Sequence, residues 1–110
     1  MEFEPKDKET LIKEWTELYN KEGADALIDE YNWYMESLWE WLEEKLRFMD
    51  KDYDLEEYAR EVMWEPFKAM EEVYDNIESD EQVEYIGKYV DMTNDEYNVK
   101  GLVQSIYEGD

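Results

Sequence analysis

The sequence predicts an all-α fold, an irregular bundle of four to six helices, and three observations carry that expectation. Apolar residues recur at threes and fours along most of the chain. Helix-start signatures punctuate it around Asp54, Ser79 and Thr93. Hydrophobic residues make up 43% of the sequence, too many for a disordered acidic tail. At 110 residues the chain reads as a single acidic helical domain over 1–110, with room for one modest core.

The first helix is expected over residues 8–22. Leu11, Ile12, Trp15, Leu18 and Tyr19 form one apolar stripe, and Gly23 is placed to end it. A long second helix follows over 25–49. Ile28, Tyr31, Met35, Leu38, Leu42, Leu46 and Met49 step along one face. Neither Gly nor Pro interrupts them, and the span is about 37 Å at ~1.5 Å per residue. Trp39 and Trp41 flank this stripe, whereas Trp33 falls nearly opposite Tyr31 and Leu38.

A third helical pattern covers 55–78, through Leu55, Tyr58, Ala59, Val62, Pro66, Ala69, Met70, Val73 and Ile77. Pro66 predicts a kink or a break near residues 62–66, because proline lacks a backbone donor and clashes one turn back. Trp64 points away from the stripe. Two shorter helices follow. Ser79–Gln82 fits a capping box leading into Val83, Ile86 and Val90. Thr93–Glu96 fits a second one leading into Tyr97, Val99, Leu102, Val103 and Ile106. Gly87 and Gly101 weaken both, and Tyr85–Val90 also reads as a short strand.

Charge dominates the functional reading. Thirty-three acids against eleven bases give a net charge of −22. Such self-repulsion destabilises a compact chain, and solubility needs far less. Direct binding to nucleic acid or an anionic membrane is disfavoured, and a basic partner surface is favoured. Cys and His are both absent, which excludes disulfides, thiol nucleophiles, His-based triads and Cys/His zinc sites. No secretory signal or membrane-length apolar run is visible, so the expected location is cytoplasmic, the host cytoplasm if the chain is phage-encoded. No cofactor is implied.

One stretch suggests a metal. Asp50, Asp52, Asp54, Glu56 and Glu61 fall at ligand positions one, three, five, seven and twelve of an EF-hand loop. Position six, however, is Leu55 where the sharp turn needs Gly, and position eight is the charged Glu57. The same letters make a helix start, with Asp54 as N-cap and Glu57 three residues on. In a chain this acidic, the helix start is the preferred reading.

Other constellations are weaker. Adjacent pairs such as Glu43/Glu44, Glu56/Glu57 and Glu71/Glu72 point about 100° apart on a helix and do not converge on one substrate atom. No glycine-rich phosphate loop and no basic cluster exists. Nothing therefore points to an enzyme.

The acids off the apolar stripes are the main candidate site. Asp29, Glu30, Glu36, Glu40, Glu43 and Glu44 lie on the second helix. Glu57, Glu61, Glu65, Glu71, Glu72 and Asp75 lie on the third. Residues 24–78 hold 18 acids and 5 bases, net −13. Glu36, Glu40 and Glu43/Glu44 form a ridge with about 6 Å between neighbours. Duplex DNA carries one charge per ~1.7 Å, so the net charge of this chain matches about 37 Å of duplex. Trp33 and Trp64 either pack on further helices or stand exposed as interface anchors.

In size, charge and aromatic content the chain resembles the acidic DNA-mimic inhibitors made by phages and mobile elements. That resemblance carries no motif and no residue correspondence. It implies a basic nucleic-acid-binding partner, such as a CRISPR nuclease, a restriction or repair enzyme, or a nucleoid protein. The competing expectation is an acidic helical adaptor that binds through Trp and Tyr, or a self-associating homodimer.

Overall fold

The computed structural model describes residues 3–108. Five helices form in chain order: α1 (Lys8–Glu22), α2 (Ala24–Phe48), α3 (Leu55–Tyr74), α4 (Asp80–Asp95) and α5 (Val99–Glu108). No strand occurs among the described residues. The all-α bundle is thus observed, and Tyr85–Val90 is helical rather than extended.

Local chemistry sets the boundaries. The Asp7 carboxylate caps α1 by accepting from the Thr10 amide at 2.8 Å. That hydrogen bond holds the Asp7 pKa below its ordinary value. Gly23 ends the helix at φ 95°, and its own amide donates to the Tyr19 carbonyl. Such a positive φ is open to glycine and costly for other residues, which lets α2 start directly behind α1.

Asp54 caps α3 through the Glu57 amide at 3.1 Å, and Ser79 caps α4 through the Gln82 amide. The third helix is continuous through Pro66, so of the kink or break expected near 62–66 the break does not form. Met63, Pro66, Ala69 and Met70 are all buried, and this shared inward face holds the turn together although one backbone donor is missing. The helix stops at Tyr74, four residues short of expectation. Asn76 and Ile77 donate to the Val73 and Tyr74 carbonyls in a tight turn, which still delivers Ile77 to the core.

The second capping box is corrected. Thr93 lies inside α4 and is buried. It stands three residues after Val90 and seven after Ile86, on the apolar stripe of α4, and its hydroxyl donates to the Asn32 side chain. The last helix begins later, with the Asn98 side chain accepting from the Gly101 amide at 3.0 Å.

The core runs along α2, which touches α1, α3, α4 and α5. Leu27, Tyr31, Leu42 and Leu46 are fully inaccessible on it. Contact with helices on several sides explains why its buried face is wider than the predicted stripe and includes Leu27 and Tyr34. Trp15 packs edge-on against Tyr31 and Tyr34, with centroids 5.5 and 5.8 Å away. The bundle is a short rod, 47 × 24 × 21 Å. No helix among the described residues is long and apolar enough to cross a membrane.

Candidate partner-binding surface

Inward packing of the apolar stripes drives the acids outward. Asp29, Glu36, Glu40, Glu44, Glu57, Glu61, Glu71, Glu72 and Asp75 are exposed, and Glu30, Glu43 and Glu65 are partly covered. Four ion pairs form among the described residues: Lys6–Glu14, Lys8–Glu72, Arg47–Glu43 and Arg60–Glu56. All join solvent-accessible side chains, so each contributes about 0–1 kcal/mol. The Glu72 carboxylate accepts from Lys8 and raises the lysine pKa. Only Glu43 and Glu72 of the twelve candidate acids are neutralised in this way.

The acids occupy more than one face. On α2, Asp29, Glu36, Glu40 and Glu43/Glu44 follow one line. On α3, Glu61, Glu65 and Glu72 lie toward the α1 side: Glu72 holds Lys8, and Glu61 and Glu65 line a shallow groove with Lys6 and Tyr34. Glu57 and Glu71 instead fall on the exposed face of Trp64, each seven residues from it along α3. The candidate residues thus surround the rod rather than meeting at a point.

The stretch 50–54 is a helix junction. The Asp50 side chain accepts from the Asp52 amide, and Asp54 is engaged as a cap. Glu56 holds Arg60. The Tyr107 hydroxyl donates to the Tyr53 carbonyl and pins the loop to α5. Asp50, Asp52, Asp54, Glu56 and Glu61 do not converge: no group of three or more metal-ligating side chains gathers among the described residues.

The two off-stripe tryptophans are half exposed, Trp33 at 47% and Trp64 at 50%, and their settings differ. Trp33 stands edge-on to Phe3. Trp64 leans on Phe67, with centroids 4.8 Å apart, over a groove of about 360 Å³ lined by Met35, Met63, Phe67, Tyr97 and Val99. Sequence reasoning missed this groove because four elements build it. The spacing of Trp64 and Phe67, three residues apart and both off the stripe, was its one readable trace. Also unforeseen is a Tyr85–Tyr89 pair on α4, stacked edge-to-face at 5.2 Å with both rings exposed.

Electrostatics reach the hydroxyls nearby. Burial first, then the charges of Glu96, Glu36 and Glu40, pushes the Tyr97 pKa up. Burial raises Tyr31 and Tyr74 strongly. The Tyr31 hydroxyl donates to Asn94 at 2.6 Å, while the Tyr74 hydroxyl is buried without a partner among the described residues. Comparison with protein-family models, curated proteins and solved structures finds no match.

Proposed function

We propose that this protein is a duplex mimic that occupies and sterically blocks the nucleic-acid site of a basic host protein. The observation that supports this reading most is charge per length. Residues 3–108 carry 31 acids and 11 bases, net −20. Spread along a 47 Å rod, that is one net charge per about 2.4 Å, against ~1.7 Å for duplex DNA. The acids lie around the rod, as phosphates lie around a duplex, and most lack a basic neighbour. A partner's Lys and Arg side chains release counterions on meeting such a surface, so binding weakens steeply as salt rises.

The blocking role needs neither catalysis nor a cofactor. A CRISPR nuclease, a restriction or repair enzyme, or a nucleoid protein presents the required basic channel, which fits an anti-CRISPR, anti-restriction or similar anti-defence role for a phage protein. One observation favours a second reading. The half-exposed Trp64 over an apolar groove suits an adaptor whose binding rests on apolar anchors and resists salt.

The test is retention of bacterial lysate proteins on the immobilised chain at low ionic strength, followed by a salt gradient and by competition with duplex DNA. A nucleic-acid-binding protein that leaves with salt and is displaced by duplex is the expected result. Partners that persist through both treatments would overturn the mimic in favour of the adaptor.

A further inference from the structure

Aromatic rings and carboxylates meet in the groove between the N-terminal segment, α2 and α3. Tyr34, Leu38 and Trp41 come to it from α2, and Tyr58, Val62 and Pro66 from α3. Tyr34, Leu38 and Pro66 are buried, while Trp41, Tyr58 and Val62 are half-buried. Glu61 and Glu65 line the same groove, whose volume is about 250 Å³. The Lys6 amide donates to the Tyr34 hydroxyl at 3.0 Å, which sets Pro5 and Lys6 along its remaining side.

Charge here is unbalanced. Glu61 is exposed, Glu65 is partly covered, and neither forms an ion pair with a described residue. The nearby bases are engaged. Lys6, the cationic residue of the lining, holds its ammonium 2.8 Å from Glu14, and Lys8 lies 2.9 Å from Glu72. Lys45, outside the lining, places its ammonium 5.9 Å from the centre of the Trp41 ring, so that ring already attracts a cation. Glu14, Glu61 and Glu65 together still outnumber Lys6 and Lys45. An apolar, aromatic surface with two unanswered carboxylates complements a side chain with an apolar stem and a cationic head.

The chemistry separates three such cations. Glu61 and Glu65 stand four residues apart on α3, neighbours at about 6 Å. A guanidinium presents five N–H donors in a rigid fork, reaches two carboxylates at once and stacks on an aromatic face. A lysine ammonium is a compact, strongly hydrated point charge. A quaternary ammonium suits aromatic rings but offers no donor to the carboxylates. We infer that this groove receives an arginine side chain of the basic partner, its stem against Leu38 and Val62 and its guanidinium against Trp41, Glu61 and Glu65. This rests on the duplex-mimic reading and deepens it, since the arginine is one the partner otherwise turns to phosphates. A second copy of the chain is a poor donor. Its Arg47 and Arg60 are held by Glu43 and Glu56, and its net charge of −22 is repelled by the same surface.

Titration with three small monocations tests it: Nα-acetyl-arginine amide, Nα-acetyl-lysine amide and tetramethylammonium, at matched low ionic strength. The Trp41 indole and the Leu38 and Val62 methyl signals are followed by NMR, with the Trp33 and Trp64 indoles as controls. The arginine probe should move the groove signals, leave the controls in place, and bind about threefold or more tighter than the lysine probe. Glu61→Gln and Glu65→Gln should each weaken it about two- to fivefold, the worth of one exposed ion pair. Glu57→Gln, on the Trp64 face, should leave it unchanged.

Equal binding of the arginine and lysine probes, tighter binding of tetramethylammonium, equal movement of all three indoles, or unmoved groove signals would each overturn the assignment. The two readings fail separately. A captured lysate partner that yields to salt and duplex can be compared on two double variants of equal charge, Glu61→Gln with Glu65→Gln and Glu36→Gln with Glu57→Gln. If it binds both equally well, the mimic stands and the arginine site falls. If the arginine probe fills the groove but duplex displaces no partner, the site stands and the mimic falls.

Discussion

The two faces of α2 obey opposite rules. Its inner face buries Leu27, Tyr31, Leu38, Leu42 and Leu46 almost completely, and this burial is where the fold gains its stability. Its outer face carries Asp29, Glu36, Glu40 and Glu44, all exposed. Like charges four apart on a helix oppose the fold. One helix therefore holds the bundle together along one side and strains it along the other. That surface works against folding and exceeds what solubility needs, and the proposed function assigns it to a basic partner.

The comparison breaks if the inner face proves dispensable. Leu42→Ala should cost about 2–5 kcal/mol, the usual range for a leucine removed from a close-packed core, read as a lower urea midpoint with an unchanged slope. Its binding to a basic partner should be unchanged under conditions where it remains folded.

The next effect comes from base. Burial raises the pKa of Tyr31, Tyr34 and Tyr74 in the folded chain. A raised phenol pKa means the folded state keeps its proton where the unfolded state has lost it. The contribution is therefore fully present below the unfolded value, near 10, and is lost as pH climbs above it. Helicity followed by circular dichroism should collapse above pH 10, with these tyrosines ionising together with unfolding rather than before it. Early ionisation of every tyrosine, with the helices intact, would contradict their burial.

Two single-site changes near 1 kcal/mol have opposite signs. Ser79→Ala removes the α4 cap and should destabilise by about 1 kcal/mol. Tyr74→Phe removes a buried hydroxyl that has no partner among the described residues and should stabilise by up to about 1 kcal/mol, since a donor without a bond retains only its desolvation cost. Paired thermal melts decide both.

Much of the fold was legible because burial here follows local period. The α1 range, the length of α2 and the caps at Asp54 and Ser79 could all be read from spacing and cap chemistry. Thr93 shows the limit. Its capping-box letters were present, but three and seven residues upstream stand Val90 and Ile86, and tertiary burial carried α4 past it. Pro66 is similar: the helix continues through it because the buried face runs on at both sides, so the proline did not end the element. The acids were legible as a surface, because charges seldom go inside unpaired. Their division between the Trp64 face and the α1 side was not, since it depends on how α3 is rotated against its neighbours. The Trp64 groove was hidden for the same reason.

The smallest effect tests the outer face most directly. Glu40 stands four residues after Glu36 and four before Glu44, all exposed and none in an ion pair with a described residue. Each like-charge pair at this spacing costs about 0.2–0.5 kcal/mol. Glu40→Gln removes both pairs and keeps the shape of the side chain. It should therefore stabilise the protein by about 0.5 kcal/mol at low salt. At 1 M salt, where the screening length falls to ~3 Å, the gain should vanish. The same substitution should weaken binding to a basic partner at low salt. A variant that is both more stable and a poorer binder would separate folding from function on a single helix. If Glu40→Gln destabilises at every salt concentration, the carboxylate instead supports the fold, and the contrast between the two faces of α2 fails.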